Sequence, residues 1–180
     1  MGDRSNRSYK FYQMEMTLDR IRLIQVKKVP SLTIRNYHAS DAKGLVRVFN
    51  SVFLGSNDPI PRISEQDLGD LPSDRILLAE SEGETVGFLM CGIKTLEGEV
   101  VGVIGYVGVI SKWRRKGVAT LLAVEAGRYF LKNRLKKVIC EVYYLNKNSY
   151  KFIESFGFSQ TATIYVPVED VVKSLYRVKL

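Results

Sequence analysis

Val107-Gly108-Val109-Ile110-Ser111-Lys112-Trp113-Arg114-Arg115-Lys116-Gly117-Val118-Ala119 is the stretch on which the fold turns. The apolar run Val100–Ile110 ends in it, a short basic loop follows, and an amphipathic helix opens at a glycine. A strand that is apolar on both faces belongs in the middle of a sheet. The helix runs from Gly117 to about Lys132, with Ala119, Leu122, Ala126, Tyr129 and Phe130 on one side. Between the two, free backbone N–H groups and the positive end of a helix dipole meet the cations Arg114, Arg115 and Lys116. That combination is an anion site suited to a pyrophosphate. Gly117 admits a phosphate close to the backbone, and Ala119 keeps the first turn slim. The P-loop pattern GxxxxGK[ST] is absent. Gly102, Gly105 and Gly108 recur inside the strand rather than at its junction with the helix, which argues against a Rossmann site.

Upstream, Leu32–Arg35 reads as a short strand and Ser40 as the N-cap of a helix carrying Ala42, Leu45, Val46, Phe49, Val52 and Phe53. Gly55–Ile63, with Pro59 and Pro61, is a loop, and Ser64–Leu68 a short helix. Ile76–Glu80, Val86–Ile93 and Val100–Ile110 are joined by the tight turns Glu82-Gly83 and Glu97-Gly98-Glu99, which predicts an antiparallel meander. Downstream come a strand, Lys137–Tyr144, and a helix bearing Ser149, Phe152, Ile153 and Phe156 that Gly157 ends. Ser159–Val166 and Val172–Val178 are predicted as a closing strand pair.

The first thirty residues stand apart. Tyr12, Met14, Met16 and Leu18 alternate with Gln13, Glu15 and Thr17, which is strand period, and Pro30 closes the segment. Seven cations against three carboxylates make it basic. Residues 1–30 are read as a basic arm added to a domain at 31–180. Tyr9, Phe11, Tyr12 and Met14 suit it to pair with a neighbour's sheet edge, which predicts a homodimer. The fold class is α/β (α+β): a mixed, mostly antiparallel sheet of six to seven strands with helices on both faces.

The whole chain has 180 residues, a size that suits one domain. With 46% hydrophobic and 26% charged residues it has the composition of a globular protein. Val100–Ile110, its longest uncharged apolar stretch, is far short of the ~20 residues that span a membrane. MGDRSNRSYK lacks the apolar core of a signal peptide. Cys91 and Cys140 lie far apart in apolar runs and are expected to be buried, reduced thiols of a cytoplasmic protein. The single histidine, His38, sits beside a helix start, which removes Ser-His-Asp and Cys-His chemistry and argues against a protein-built metal site. The formal net charge of +8 fits either a polyanion such as nucleic acid or a phosphate-bearing cofactor.

Taken together, these motifs resemble the GNAT N-acetyltransferases. Arg114-Arg115-Lys116-Gly117-Val118-Ala119 matches that family's [R/Q]-x-x-G-x-[G/A] signature between its fourth strand and third helix, and Val107 and Val109 match the preceding V-x-V. Asn146, Ser149 and Gly157-Phe158 match the later N-x-x-[A/S]…G-F. The resemblance covers about residues 31–180 and is nearest to the protein N-terminal acetyltransferases of the ribosomal-protein alanine type. It implies acetyl-CoA as cofactor. Val107 and Val109 would offer backbone groups to the pantetheine arm. Residues Arg114, Arg115, Lys116, Gly117, Val118 and Ala119, with Thr120, would wrap the pyrophosphate, and Asn146 would contact the pantetheine or cap its helix.

Transfer from a thioester to an amine needs a neutral amine, a polarised carbonyl and a leaving thiolate. The resemblance places a catalytic glutamate at Glu141, while the family's alternative base position, near Val103, is apolar. The family's usual acid, a tyrosine four residues before the Gly of Gly-Phe, is Ile153 here. Tyr150, one turn earlier and about 60° around the helix, is the candidate substitute, with Tyr143 and Tyr144 as others. The expected function is an acetyltransferase for a primary amine, a peptide N-terminus or a small molecule. A non-catalytic CoA-binding module and a basic nucleic-acid binder are the alternatives.

Overall fold

A computed structural model describes residues 7–69, 71–173 and 175. Its centre is one seven-stranded sheet. The strands are β1 (Ser8–Thr17), β2 (Thr33–Asn36), β3 (Ile76–Ser81), β4 (Glu84–Leu96), β5 (Glu99–Val109), β6 (Lys137–Tyr143) and β7 (Ser159–Pro167). The helices are α1 (Ala42–Leu54), α2 (Glu65–Leu68), α3 (Val118–Lys132), α4 (Lys147–Ser155) and α5 (Val168–Val171). Strand order is β2-β3-β4-β5-β6-β1-β7, and every neighbouring pair is antiparallel except β5 with β6. The expected fold class holds.

The meander follows from its turns. Glu82 and Gly83, then Glu97 and Gly98, all have positive φ, which is the two-residue turn whose twist matches the flanking strands. The two sheet faces bury separate cores. Leu45, Val48 and Phe49 of α1 pack with Leu78, Phe88 and Tyr106 on one face. Leu122, Ala126 and Phe130 of α3 pack with Leu89, Val138 and Cys140 on the other. The glycines inside β5 make room for both. A Cβ on Gly102 would meet the Phe130 ring at 2.9 Å, and one on Gly108 would meet Phe88 at 2.6 Å.

Three expectations change. Residues 8–17 are not an appendage, because β1 lies inside the sheet, antiparallel to β6 on one edge and to β7 on the other. Phe11 and Met14 are fully buried there. With both edges occupied within the chain, β1 offers no free edge to a second copy, and the homodimer expected through it loses that basis. The helix after β2 is not capped by Ser40. The Asp41 carboxylate accepts the His38 backbone N–H at 2.8 Å, and one 3₁₀ turn leads into α1. After β7 the chain turns into α5; of the strand expected at 172–178, Val172, Lys173 and Leu175 are turn or bend and the other residues lie outside the described residues.

No described helix is long and apolar enough to cross a membrane.

Candidate active site

The site begins where two parallel strands part. β5 and β6 pair only between Gly102–Ile104 and Val138–Cys140. Just beyond, Met90 faces Tyr106 and Cys91 faces Ile104, so Gly105 is an extra residue that bends β5 away. Bonding to β4 continues on the other edge, where the Ile110 N–H donates to the Val86 carbonyl at 3.0 Å. Backbone groups alternate along an antiparallel strand. Val107 and Val109 therefore turn theirs toward the split. The Val109 carbonyl accepts Arg114 Nε at 2.9 Å, which leaves Val107 and the Val109 N–H at the open edge.

The basic loop curls the chain from that edge into α3. Arg115 has φ 60° and Gly117 φ 85°. A non-glycine residue held in the left-handed region is strained backbone of the kind that gathers at ligand clamps. The first helical bond of α3 runs from the Leu121 N–H to the Gly117 carbonyl at 3.0 Å. The N–H groups of Val118, Ala119 and Thr120 precede it, so they have no acceptor within the helix. Arg114, Arg115 and Ala119 line an open cleft of about 810 Å³, with Val107 and Val109 along its floor. Lys116 does not line it; its ammonium rests 5.0 Å from the centre of the Trp113 ring. The cradle thus fits a pyrophosphate by its backbone, its left-handed glycine and two of the three expected cations.

Asn146 stands across the cleft at the start of α4. Its Oδ1 accepts the Ser149 N–H at 3.0 Å, so it is the N-cap. Its Nδ2 donates to Asp58 Oδ2 at 2.7 Å, tying α4 to the loop after α1. One amide proton remains for a ligand. Asp58 is held by its own turn, its N–H donating to Ser56 Oγ at 3.2 Å.

A narrow slot of about 60 Å³ leads through the split. β6 sends Val138, Cys140 and Val142 into the core under α3. Glu141 therefore points to the opposite face, where it lines the slot with Tyr106, Tyr143, Phe53 and Asp58. Burial, with Tyr144, Tyr9 and Asp58 nearby, holds the Tyr143 hydroxyl above its usual range and so keeps it protonated. Ile153 closes the α4 side of the slot with an apolar wall. Tyr150 is turned away: its ring packs edge-on against Tyr12 at 5.7 Å and its hydroxyl donates to Gln160 Oε1 at 3.4 Å. It lines neither cleft nor slot. Tyr144 is exposed and lines neither cleft nor slot. Asp58 is the site residue the sequence did not reveal, since a proline-bearing loop carries no periodicity that fixes where its side chains point.

The profile of the Acetyltransferase (GNAT) family matches residues 44–158. The chain belongs to that family. The family's co-substrate is acetyl-CoA. The matched span holds the cleft and the slot but not β1, which lies before it. No curated protein sequence matches the chain. Among solved structures, a GCN5-related N-acetyltransferase from Sphaerobacter thermophilus is 19% identical with a TM-score of 0.65, over 90% of this chain and 51% of that one. Arabidopsis thaliana Naa50, in complex with the bisubstrate analogue CoA-Ac-MVNAL, is 22% identical with a TM-score of 0.61, over 74% and 87%. The aminoglycoside N-acetyltransferase AAC(6')-Iy, in complex with CoA, is 19% identical with a TM-score of 0.63, over 77% and 94%. These likenesses concern the fold. This chain spans about half the length of the Sphaerobacter chain and of a Drosophila chain it also resembles.

Proposed function

We propose that this protein is an N-acetyltransferase that moves an acetyl group from acetyl-CoA to a primary amine by direct attack in a ternary complex. One observation carries the reading: the open edge of β5 runs directly into the Gly117 cradle, while a slot from the same edge reaches Glu141 on the other face. Val118, Ala119 and Thr120 would donate their N–H groups to the pyrophosphate, with Arg114 and Arg115 beside them. Val107 and Asn146 would hold the pantetheine arm.

Bound there, acetyl-CoA supplies an activated acyl carbon. The Val109 N–H polarises its carbonyl, a backbone device that acts as an oxyanion hole does. Glu141 takes the proton of the incoming ammonium, directly or through water. The N–C bond forms as the C–S bond breaks, and sulfur leaves as a thiolate. Thiols ionise near pKa ~8.5, so that departure needs no dedicated acid. This accommodates Ile153 and the outward position of Tyr150. The protonated Tyr143 hydroxyl, which lines the slot, would be a donor to hand there.

A peptide N-terminus is the leading acceptor, because Glu141 matches the glutamate of protein N-terminal acetyltransferases and Naa50 shares the fold. A small-molecule amine is the rival, as AAC(6')-Iy also shares it. The cytoplasm is the proposed compartment. Cys91 and Cys140 are free and buried, and burial pushes the Cys91 thiol up to about 12, which keeps it unreactive.

Calorimetric titration with acetyl-CoA tests the premise, followed by mass-spectrometric detection of acetylated peptides and amines. Binding without transfer to any amine would favour a CoA-binding module instead.

A further inference from the structure

Behind the slot lies a second space. Ile104, Val107, Cys140 and Ile153 line the slot on one side and an apolar cavity of about 40 Å³ on the other. The cavity sits beneath the sheet between α3 and α4, bounded on its far side by Ala123, Phe130 and Val138. A void of this chemistry stays dry and takes apolar groups rather than water.

The wall in front of it can yield. α4 contributes Phe152 and Ile153 to the cavity, with Phe156 just after its end, yet no residue of α4 is fully buried. α3, on the other flank, buries seven. The separating side chains are two isoleucines, a valine and a cysteine, and Ile153 stands where the family resemblance places a tyrosine. A phenol there would put a hydroxyl, with its need for a partner, into the wall. Isoleucine makes the wall apolar throughout.

We propose that this cavity is an acyl-chain subsite and that the enzyme accepts acyl groups longer than acetyl, propionyl and butyryl above all. The inference rests on the acetyltransferase reading and extends its donor. The chemistry is unchanged: the amine nitrogen bonds to the acyl carbon, the C–S bond breaks, and CoA leaves. The added methylenes push the Ile104–Ile153 wall back into the void. Burying one CH₂ favours binding by about 0.8 kcal/mol, or about fourfold in affinity.

The test is calorimetric titration of the full chain with acetyl-, propionyl-, butyryl- and octanoyl-CoA, with turnover measured in parallel. Affinity is expected to rise about fourfold for each of the first two methylenes and to fall for octanoyl, which outgrows the cavity. Ala123→Leu fills the void from α3, away from cleft and slot, and is expected to abolish the butyryl gain while acetyl-CoA affinity stays within twofold. Val138→Ile, which adds one methyl to the same void, is the milder variant and should remove part of the gain. Acetyl-CoA binding tightest of the four, or an undiminished butyryl gain in both variants, would overturn the subsite and leave the acetyltransferase reading standing. Failure of every thioester to bind would overturn both.

Discussion

The two helices that flank the cleft are built in opposite ways. α3 opens on a left-handed glycine and presses seven residues into the core, Leu122, Ala126 and Phe130 among them. α4 opens on an asparagine cap, buries no residue fully, and keeps the ring of Tyr150 near the outer strands. One side of the site is therefore fixed by the backbone and the core. The other side is held by its cap, by the bond from Asn146 to Asp58, and by partly buried side chains such as Tyr150 and Ile153 that pack on the core. The difference suits a site that grips an invariant part of its ligand rigidly and a variable part with latitude.

The largest break should come at the rigid side. Gly117→Glu places a carboxylate in the pyrophosphate cradle and forces a side chain onto φ 85°. Calorimetry should show CoA affinity falling more than about 100-fold, since repulsion between the carboxylate and the pyrophosphate and backbone strain act together. If affinity survived, the cradle would not be the phosphate site. Next, Glu141→Gln tests the slot. Turnover should drop about 10²- to 10⁴-fold, the usual worth of a general base, with thioester affinity unchanged by calorimetry. A turnover drop under threefold would reduce Glu141 to a wall residue.

A network that lines neither the cleft nor the slot serves as the control. Arg35 donates to Asp41 at 2.7 Å and 2.9 Å and to Glu80 at 2.8 Å, joining β2, β3 and the start of α1. Arg35→Met should cost about 1–2 kcal/mol in denaturant unfolding, between the values of exposed and buried ion pairs, without altering CoA affinity. The Arg35 guanidinium, by hydrogen bonding, holds the Asp41 carboxyl below its usual range. A depressed carboxylate stabilises the fold at pH above its unfolded pKa, and that contribution fades as pH falls through its folded pKa. Acidification should therefore lower the Tm of the wild type more steeply than that of Arg35→Met. Parallel curves would show that the pair adds nothing.

On the adaptable side, Asn146→Ala removes both the cap and the bond to Asp58. A loss of about 1 kcal/mol in stability is expected from the cap, together with a several-fold weaker pantetheine grip by calorimetry. An unchanged CoA affinity would make Asn146 purely a cap. The smallest effect belongs to Tyr150→Phe. Its hydroxyl faces Gln160, so turnover should stay within about twofold. A tenfold loss would mean that α4 rotates during the reaction.

The same contrast explains what the sequence disclosed. The rigid side is local: Val107 to Ala119 is one continuous segment, and strand alternation plus a glycine at a helix start specify its backbone. The sheet order from β3 to β5 was legible for the same reason, since each tight turn names its partner strands. The adaptable side is assembled from Asp58, Glu141, Tyr143 and Ile153, which come from a loop, a strand and a helix. Residue type alone did not tell that Tyr150 would point outward or that Lys116 would lie on Trp113. Pattern revealed that β1 is a strand but not which edge it joins, because alternation fixes a strand's faces and leaves its neighbours open.

That placement sets an order on folding. β7 reaches the rest of the sheet only through β1, with Phe11 opposite Ile164 on one edge and Tyr143 on the other. β1 is made before β6 and β7 and must therefore wait, with Phe11, Met14 and Met16 uncovered, until partners about 120 to 160 residues later have been made. Closure of that edge is a long-range step, and such steps are slow and expose apolar strands to aggregation. During synthesis, this segment is where a chaperone has most to cover.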